Sequence, residues 1–533
     1  MLLNPRAELL GVWRAVSRYA FRDGGFLWGD PAAGDALNDA QQLLCILGPA
    51  TNLPPLRLDV PDATADDAVA ALGALGDRAE IPARLVVAMR EYLTRYTDGT
   101  GAPVFPGGPA LSPPAPALDV VAAAGTDLRL CLAIIGFCKV YRQRTDDVER
   151  LASIRLTAAM AALLRAFAIR ASTDEAHLRH LVRPGPRDER AVHDEYRAGL
   201  VEVRAALRDI RIGTVPDHDA ADRAAWFECG WAWTAVADAL PIDLFAEFGD
   251  DVVIPQRPGP AVAPQLYSSL LALEAVAELF SERTRVLGLL TEEQQRLSRA
   301  LQLRYDVTVA YFTSTATFGE HRWPLERIPW RTADGDESTH NSAVVAAITG
   351  IGLARARNPQ VPYAYLLRVL TVLAARHGIA RPPLAAATPS VLPEHHCPCP
   401  PGATMPAAGA VPILFRTAVR TATAIDDAAL RTGFEDLADL LWQHLPLFPA
   451  EHDPNWHDTA HTVDGLTLAM QLTADGRRPP PPMAFVHDLL TAAETLAAED
   501  DPRLQRARTL VDAEPARAAA LLYRLIADLD TPA

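Results

Sequence analysis

The chain has 533 residues, of which 49% are hydrophobic and 22% charged, with a formal net charge of −16. That length fills one large core or two to three ordinary ones, and the acidic balance argues against a broad nucleic-acid surface, which needs Lys and Arg to displace counterions from phosphates. Lys139 is the only lysine among 50 Lys and Arg, which excludes a Gly-x-x-x-x-Gly-Lys-Ser/Thr phosphate loop and confines any Schiff-base chemistry to one residue.

Segment 5–20 opens the chain with Leu9, Leu10, Trp13, Val16 and Ala20 at helical spacing, an amphipathic helix. A Trp-bearing loop, Gly25 to Asp39 around Trp28, leads into the next helical stretch. Helices are expected over 80–97, 118–143, 147–171 and 188–211, with a Gly/Pro-rich interruption at 98–117. A second irregular stretch, 241–262, precedes helices at 263–287 and 291–318. The latter opens on Thr291-Glu292-Glu293, an N-cap followed by acids that suit the positive end of the helix dipole. Within 279–306, Leu spacing combines with dense Glu, Gln and Arg. That pattern fits a partner-binding helix face, or a helix packed within the chain with its charged side in water.

Further helices are expected over 340–357, 361–377, 427–444, 458–473, 482–498 and 514–529. Between them, nine prolines lie from Pro382 to Pro412, and a loop of that length is a boundary or a functional segment. The expected organisation is a main helical domain over 1–380, a Pro-rich linker or long loop over 381–413, and a C-terminal helical region over 414–533. Alternating strand patterns are scarce, so the fold class is all-α. The Trp-loop-to-helix pattern recurs at Trp231 and Trp233 before Tyr267-Ser268-Ser269, at Trp323 to Ser342, and at Asn455-Trp456-His457-Asp458. Such recurrence suggests helical hairpins, compatible with an α/α toroid.

Six cysteines are too few for a disulfide framework in so long a chain, and Cys45, Cys131, Cys138 and Cys229 sit in apolar or helical contexts. The N-terminus lacks the features of a secretory signal. No run is read as approaching the roughly 18 to 20 apolar residues of a spanning helix. A cytoplasmic location without membrane contact is expected.

Three constellations could carry chemistry. His457, His461 and Asp464 stand at i, i+4 and i+7, on one helical face. Two imidazoles and a carboxylate are ligands for a divalent metal such as zinc or iron, and a solvated polar face is the competing reading. His395-His396-Cys397-Pro398-Cys399-Pro400 has metal-binding composition but poor ligand spacing, so an exposed loop is the better reading. Asp334, Asp336, Glu337, His340 and Asn341 cluster in one turn region. There Asp336 and Glu337 are the candidate acid/base pair, because crowded carboxylates keep one member protonated. Helix N-termini attract acids without any such role. The run Asp334-Gly335-Asp336-Glu337 resembles the aspartate-rich acid motif of class II terpenoid cyclases, which are α/α toroids. Trp28, Asp39, Trp330 and His340 are candidate ligand-binding residues. Loop tryptophans equally serve to pin a hairpin through a bonded indole N–H. No Gly-x-Ser-x-Gly elbow, His-Glu-x-x-His or dinucleotide fingerprint appears.

Trp13-Arg14, Tyr19-Ala20-Phe21-Arg22-Asp23-Gly24 and Asp39-Ala40-Gln41-Gln42-Leu43-Leu44-Cys45 resemble the opening of an uncharacterised actinobacterial protein family. Leu279 to Asp306 and Trp323 to Gly335 resemble its middle, so the resemblance covers pieces of residues 1–350. It implies a gene cassette shared with a variant P-loop protein and a methyltransferase-like protein, and implies no catalytic residues. The leading expectation is a cytoplasmic helical scaffold or regulatory subunit working with those partners. The alternatives are a toroid-type enzyme with an acidic, aromatic central pocket acting on a glycan or isoprenoid, and a ligand sensor using that pocket without turnover.

Overall fold

A computed structural model describes residues 3–22, 25–30, 35–105, 121–172, 189–201, 203–205, 226–234, 264–317, 339–354, 360–379, 395–399, 403–445, 455–474, 483–498 and 501–511, with positions 518, 521, 522 and 525. The chain is all-α, with three short antiparallel strand pairs among the described residues. It divides into two compact units. One comprises Met1–Val12, Asn358–Glu394 and Ala408–Ala533; the larger comprises Trp13–Arg357 and His395–Ala407.

The larger unit is built around α5 (Val121–Tyr141). This helix is apolar on every side, which is the pattern of a helix enclosed by others. It packs against α2 (Ala36–Asn52), α6 (Asp146–Ala166) and α8 (Leu266–Leu279). Contrary to the sequence reading, α5 is long and apolar enough to cross a membrane by length and composition, with a mean hydropathy of 1.7. Of that window, 89% is buried inside the fold, and core helices pass the same test. Helix α4 (Glu80–Arg95) lies on α6, and α7 (Glu189–Gly199) follows further along the chain. A five-residue helix, α9 (Glu282–Val286), turns into α10 (Glu292–Thr317), which packs on α6, α8 and α11 (Thr339–Leu353). Thr291 caps α10 as expected. Its Oγ1 accepts from the Gln294 amide at 3.3 Å, and Gln294 Oε1 accepts from the Thr291 amide at 2.9 Å, a reciprocal capping box.

The helix expected over 147–171 ends at Ala166. Residues Phe167–Ser172 form β3, paired antiparallel with β4 (Trp226–Trp231) from Phe167↔Trp231 to Ser172↔Trp226. The chain leaving β4 is a fastener. Trp231 O accepts from the Gln265 amide at 2.8 Å, Trp233 O from the Val121 amide at 2.9 Å, and the Trp231 indole donates to Leu163 O at 2.9 Å. Backbone groups at the starts of α8 and α5 are thereby satisfied from one strand exit. Strands β1 (Phe21–Arg22) and β2 (Gly25–Phe26) form a short hairpin after α1 (Pro5–Ala20). Residues His395–Cys399, expected as an exposed loop, are β5 and pair with β6 (Ala403–Ala407) in register His395↔Ala407. Cys45, Cys131, Cys138 and Cys229 are free and buried, and all four belong to this unit. Burial raises the thiols of Cys131 and Cys229 well above their ordinary value and pushes Cys138 up to about 12.

In the other unit, α13 (Ala410–Ala424) packs between α14 (Ala428–Trp442) and α15 (Trp456–Ala474), and α12 (Gln360–Arg376) packs on α14. Helix α13 was not among the expected helices. Pro412 stands in its first turn, where a missing N–H costs no helical hydrogen bond. Asp427 caps α14 by accepting from the Leu430 amide at 2.9 Å. Helices α16 (Met483–Leu496) and α17 (Pro502–Leu510) share a small core of Val486, Ala493, Leu504, Ala507 and Val511 with Ala518, Leu522 and Leu525.

Candidate functional site

Two of the sequence-selected residues, Trp28 and Asp39, are brought together in the larger unit. Asp39, in the first turn of α2, is buried and accepts from the Gly29 amide through both carboxylate oxygens, at 3.1 and 3.3 Å. The hydroxyl of Tyr96, just past α4, donates to the same carboxylate. Burial pushes the Asp39 carboxyl above its ordinary value, against the Tyr96 hydroxyl and Gly29 amide, which favour the ionised form. Trp28 lies against Phe26, with ring centroids 4.1 Å apart, and its indole donates to Glu91 Oε2 at 2.9 Å. Arg95 reaches back to Gly29 O at 2.7 Å. This is a loop pinned to α4 by Glu91 and Arg95 and to α2 by Asp39.

The network continues inward through residues the sequence reading did not single out. Tyr92 on α4 donates to Asp127 Oδ1 at 2.7 Å, and Arg155 on α6 donates to Asp127 Oδ2, also at 2.7 Å. Arg155 further donates to the carbonyls of Tyr96 and Val104 at 2.8 and 2.9 Å. Its guanidinium lies over the rings of Tyr92 and Phe105, about 5 Å from each centroid. Asp127 and Arg155 are both 1% exposed. A pair so buried is stable because each charge is answered several times over, and removing one partner strands the other. Burial, followed by the charge of Asp127, raises the Tyr92 phenol well above its ordinary value, so it serves as a hydrogen-bond donor. Chemically, this cluster joins α2, α4, α5 and α6, with the oxygens of Asp39 and Asp127 accepting from internal donors.

In the other unit, α15 carries His457, His461 and Asp464, and the structure does not assemble them as a metal centre. Arg416 on α13 lies with Nη1 2.8 Å from His461 Nδ1 and 3.5 Å from Asp464 Oδ2. Among the described residues, no group of three His, Cys, Asp or Glu could hold a metal ion. A guanidinium stands beside the face that suggested a cation. Arginine only donates, so His461 Nδ1 is the acceptor and the ring proton belongs on Nε2. His457 and His461 are buried rather than solvated. Asn455 Oδ1 accepts from the amides of His457 and Asp458 at 3.0 and 3.3 Å and so starts the helix. Asp458 accepts from the Gly409 amide at 2.6 Å, tying the first turn of α15 to the start of α13. Burial pushes its carboxyl up to about 6, against that hydrogen bond.

His340 is buried in the first turn of α11 with its ring centroid 5.8 Å from that of Tyr267. Trp330, Asp336 and Glu337 lie outside the described residues, so the acid/base pair has no placement. Of the residues missed, Asp127 and Arg155 carried a signal, since a charged residue inside an apolar helical run has to meet a partner.

Among known proteins, no curated protein and no solved structure matches the chain. One protein-family model, described as SCO2524-like, matches residues 1–471.

Proposed function

Since the chain belongs to the SCO2524-like family, whose name carries no reaction, we propose from its geometry that it is a helical scaffold or regulatory subunit acting through protein partners. The observation that carries this reading is the corner between α9 and α10. Val286 is 74% exposed, the most exposed large hydrophobic side chain among the described residues, and Leu287 beside it is 37% exposed. Scattered exposed apolar residues need no explanation. Here the corner is tied to α5, since Lys139 Nζ donates to Gly288 O at 2.9 Å, and Gly288 takes a positive φ of 56°. Ile154, 45% exposed, follows Ser153, whose carbonyl and hydroxyl receive Gln294 from the first turn of α10. A corner that offers apolar side chains suits docking, because a partner would take that apolar area out of water. The same segment, 279–306, has the composition of a partner-binding face.

Supporting this from the other side, Asp39, Trp28, His461 and Asp464 are engaged within the protein. The partners proposed are the cassette-encoded P-loop and methyltransferase-like proteins, in the cytoplasm. The test is a pull-down of the tagged chain from its native host, beside the Val286→Asp variant. Stoichiometric partners retained by the wild type and lost by a variant of unchanged circular dichroism are expected. A chain recovered alone in both cases defeats the reading.

A further inference from the structure

Three arginines among the described residues are almost wholly buried: Arg155, Arg304 and Arg416, at 1%, 1% and 4% exposure. Arg155 is answered by Asp127, and Arg416 by Asp464 with His461. Arg304, in the middle of α10, is answered by no carboxylate among the described residues. Its Nη1 donates to Ala300 O, one turn back on its own helix, at 2.9 Å, and its guanidinium carbon lies 5.6 Å from the Phe167 ring centroid. Its buried Nε has no hydrogen-bond partner among the described residues, which is true of Arg155 Nε as well, so what sets Arg304 apart is the missing carboxylate. Burial alone pushes this guanidinium down to about 10, with no carboxylate acting in the opposite sense.

One turn further along the same helix stands Thr308, fully buried. The other buried mid-helix threonines, Thr315, Thr349, Thr417, Thr421 and Thr467, return their hydroxyls to the carbonyl four residues back. Thr308 does not, and its Oγ1 has no hydrogen-bond partner among the described residues. Two unanswered polar groups thus follow one another on the inner face of α10.

An arginine keeps its charge at any physiological pH, and a buried ion is tolerated only when paired and hydrogen-bonded. One carbonyl and one aromatic face do not meet that requirement. The unanswered Nε belongs to the Nε–Nη2 edge of the guanidinium, two parallel N–H donors at the spacing of two oxygens bound to one atom. A hydroxyl one turn away adds a third donor. We propose that Arg304 and Thr308 form a buried site for an oxyanion, the carboxylate or phosphate group of a small ligand. This site is independent of the α9–α10 corner.

The test is thermal unfolding of the full chain in chloride buffer at constant ionic strength, titrated separately with inorganic phosphate and with acetate. Wild type is expected to show a saturable rise in melting temperature with one of them, phosphate marking a phosphoryl ligand and acetate a carboxylate ligand. Arg304→Met replaces an unpaired cation by an apolar chain of similar length. It is expected to melt above wild type without anion and to show no saturable rise. Thr308→Val is expected to need about tenfold more anion for the same rise, the worth of one hydrogen bond to a charged group. The proposal is overturned if wild type responds to neither anion, or if Arg304→Met responds as wild type does. Should Arg304→Met not fold, Thr308→Val decides, and an unchanged midpoint overturns it.

Discussion

Asp458 shows how a single side chain makes stability depend on pH. Its carboxyl is pushed up to about 6 from an ordinary value of 3.8, so the fold favours the protonated form. Between those two values the native state holds more protons than the unfolded chain, and stability must fall as pH rises. The contribution is complete below about pH 4 and is lost as pH rises through about 6, with an upper size of roughly 3 kcal/mol. Urea unfolding of wild type and Asp458→Asn at a series of pH values should therefore diverge. Asparagine keeps an acceptor for the Gly409 amide without a charge, so the variant should gain on wild type from pH 4 to 7. Parallel curves would show that Asp458 is solvated as an ordinary carboxylate. None of this was legible at Asp458 itself, where an acid in a first helical turn has an ordinary explanation in the helix dipole. What decides its behaviour is burial, in packing that sets the amide of Gly409, 49 residues away in sequence, against its carboxylate. Asp39 and Tyr96 make the same point, as does Arg416, which fell next to a stretch read as linker. Arg304 did carry a signal, since it follows Leu297 and Leu301 at helical spacing and so shares their inward face.

Helices were the legible part of the fold, because 3.6-residue periodicity survives in Ala-rich sequence. Where the reading failed, a distant partner intervened. Phe167 to Ser172 continues an apolar helical pattern, yet pairing with Trp226 to Trp231 wins, with the Trp231 indole bonded to Leu163 O. Helix α13 was obscured by the prolines around it. Its packing on α15 is close, since a Cβ at Gly465 would meet the Phe415 ring carbons at 2.6 and 2.8 Å and the Arg416 Cα at 3.4 Å. Glycine is required there by the approach of two helices, not by backbone conformation. Gly465→Ala should accordingly cost about 1–3 kcal/mol, the usual range for overpacking, despite alanine's better helix propensity. A melting temperature equal to or above wild type would mean that α13 and α15 separate without penalty.

At the scale of the whole chain, contacts gather into two units, and chains of that kind commonly depart from two-state unfolding. A single melting curve then mixes the units, and a probe confined to one of them is worth more than a global signal. The larger unit contains such a probe in Cys45, Cys131, Cys138 and Cys229, whose thiols are buried, with those of Cys131, Cys138 and Cys229 also held far from ionisation. Only a thiolate reached by solvent reacts with an alkylating reagent, so each adduct records an opening event. With Cys397 and Cys399 replaced by serine, mass spectra taken during native-state labelling should pass from unmodified protein to the fourfold adduct with little in between. A ladder of single and double adducts would instead show the unit fraying piecemeal. The sulfur atoms that the sequence offers as inert filler thus become an internal clock for the opening of the larger unit.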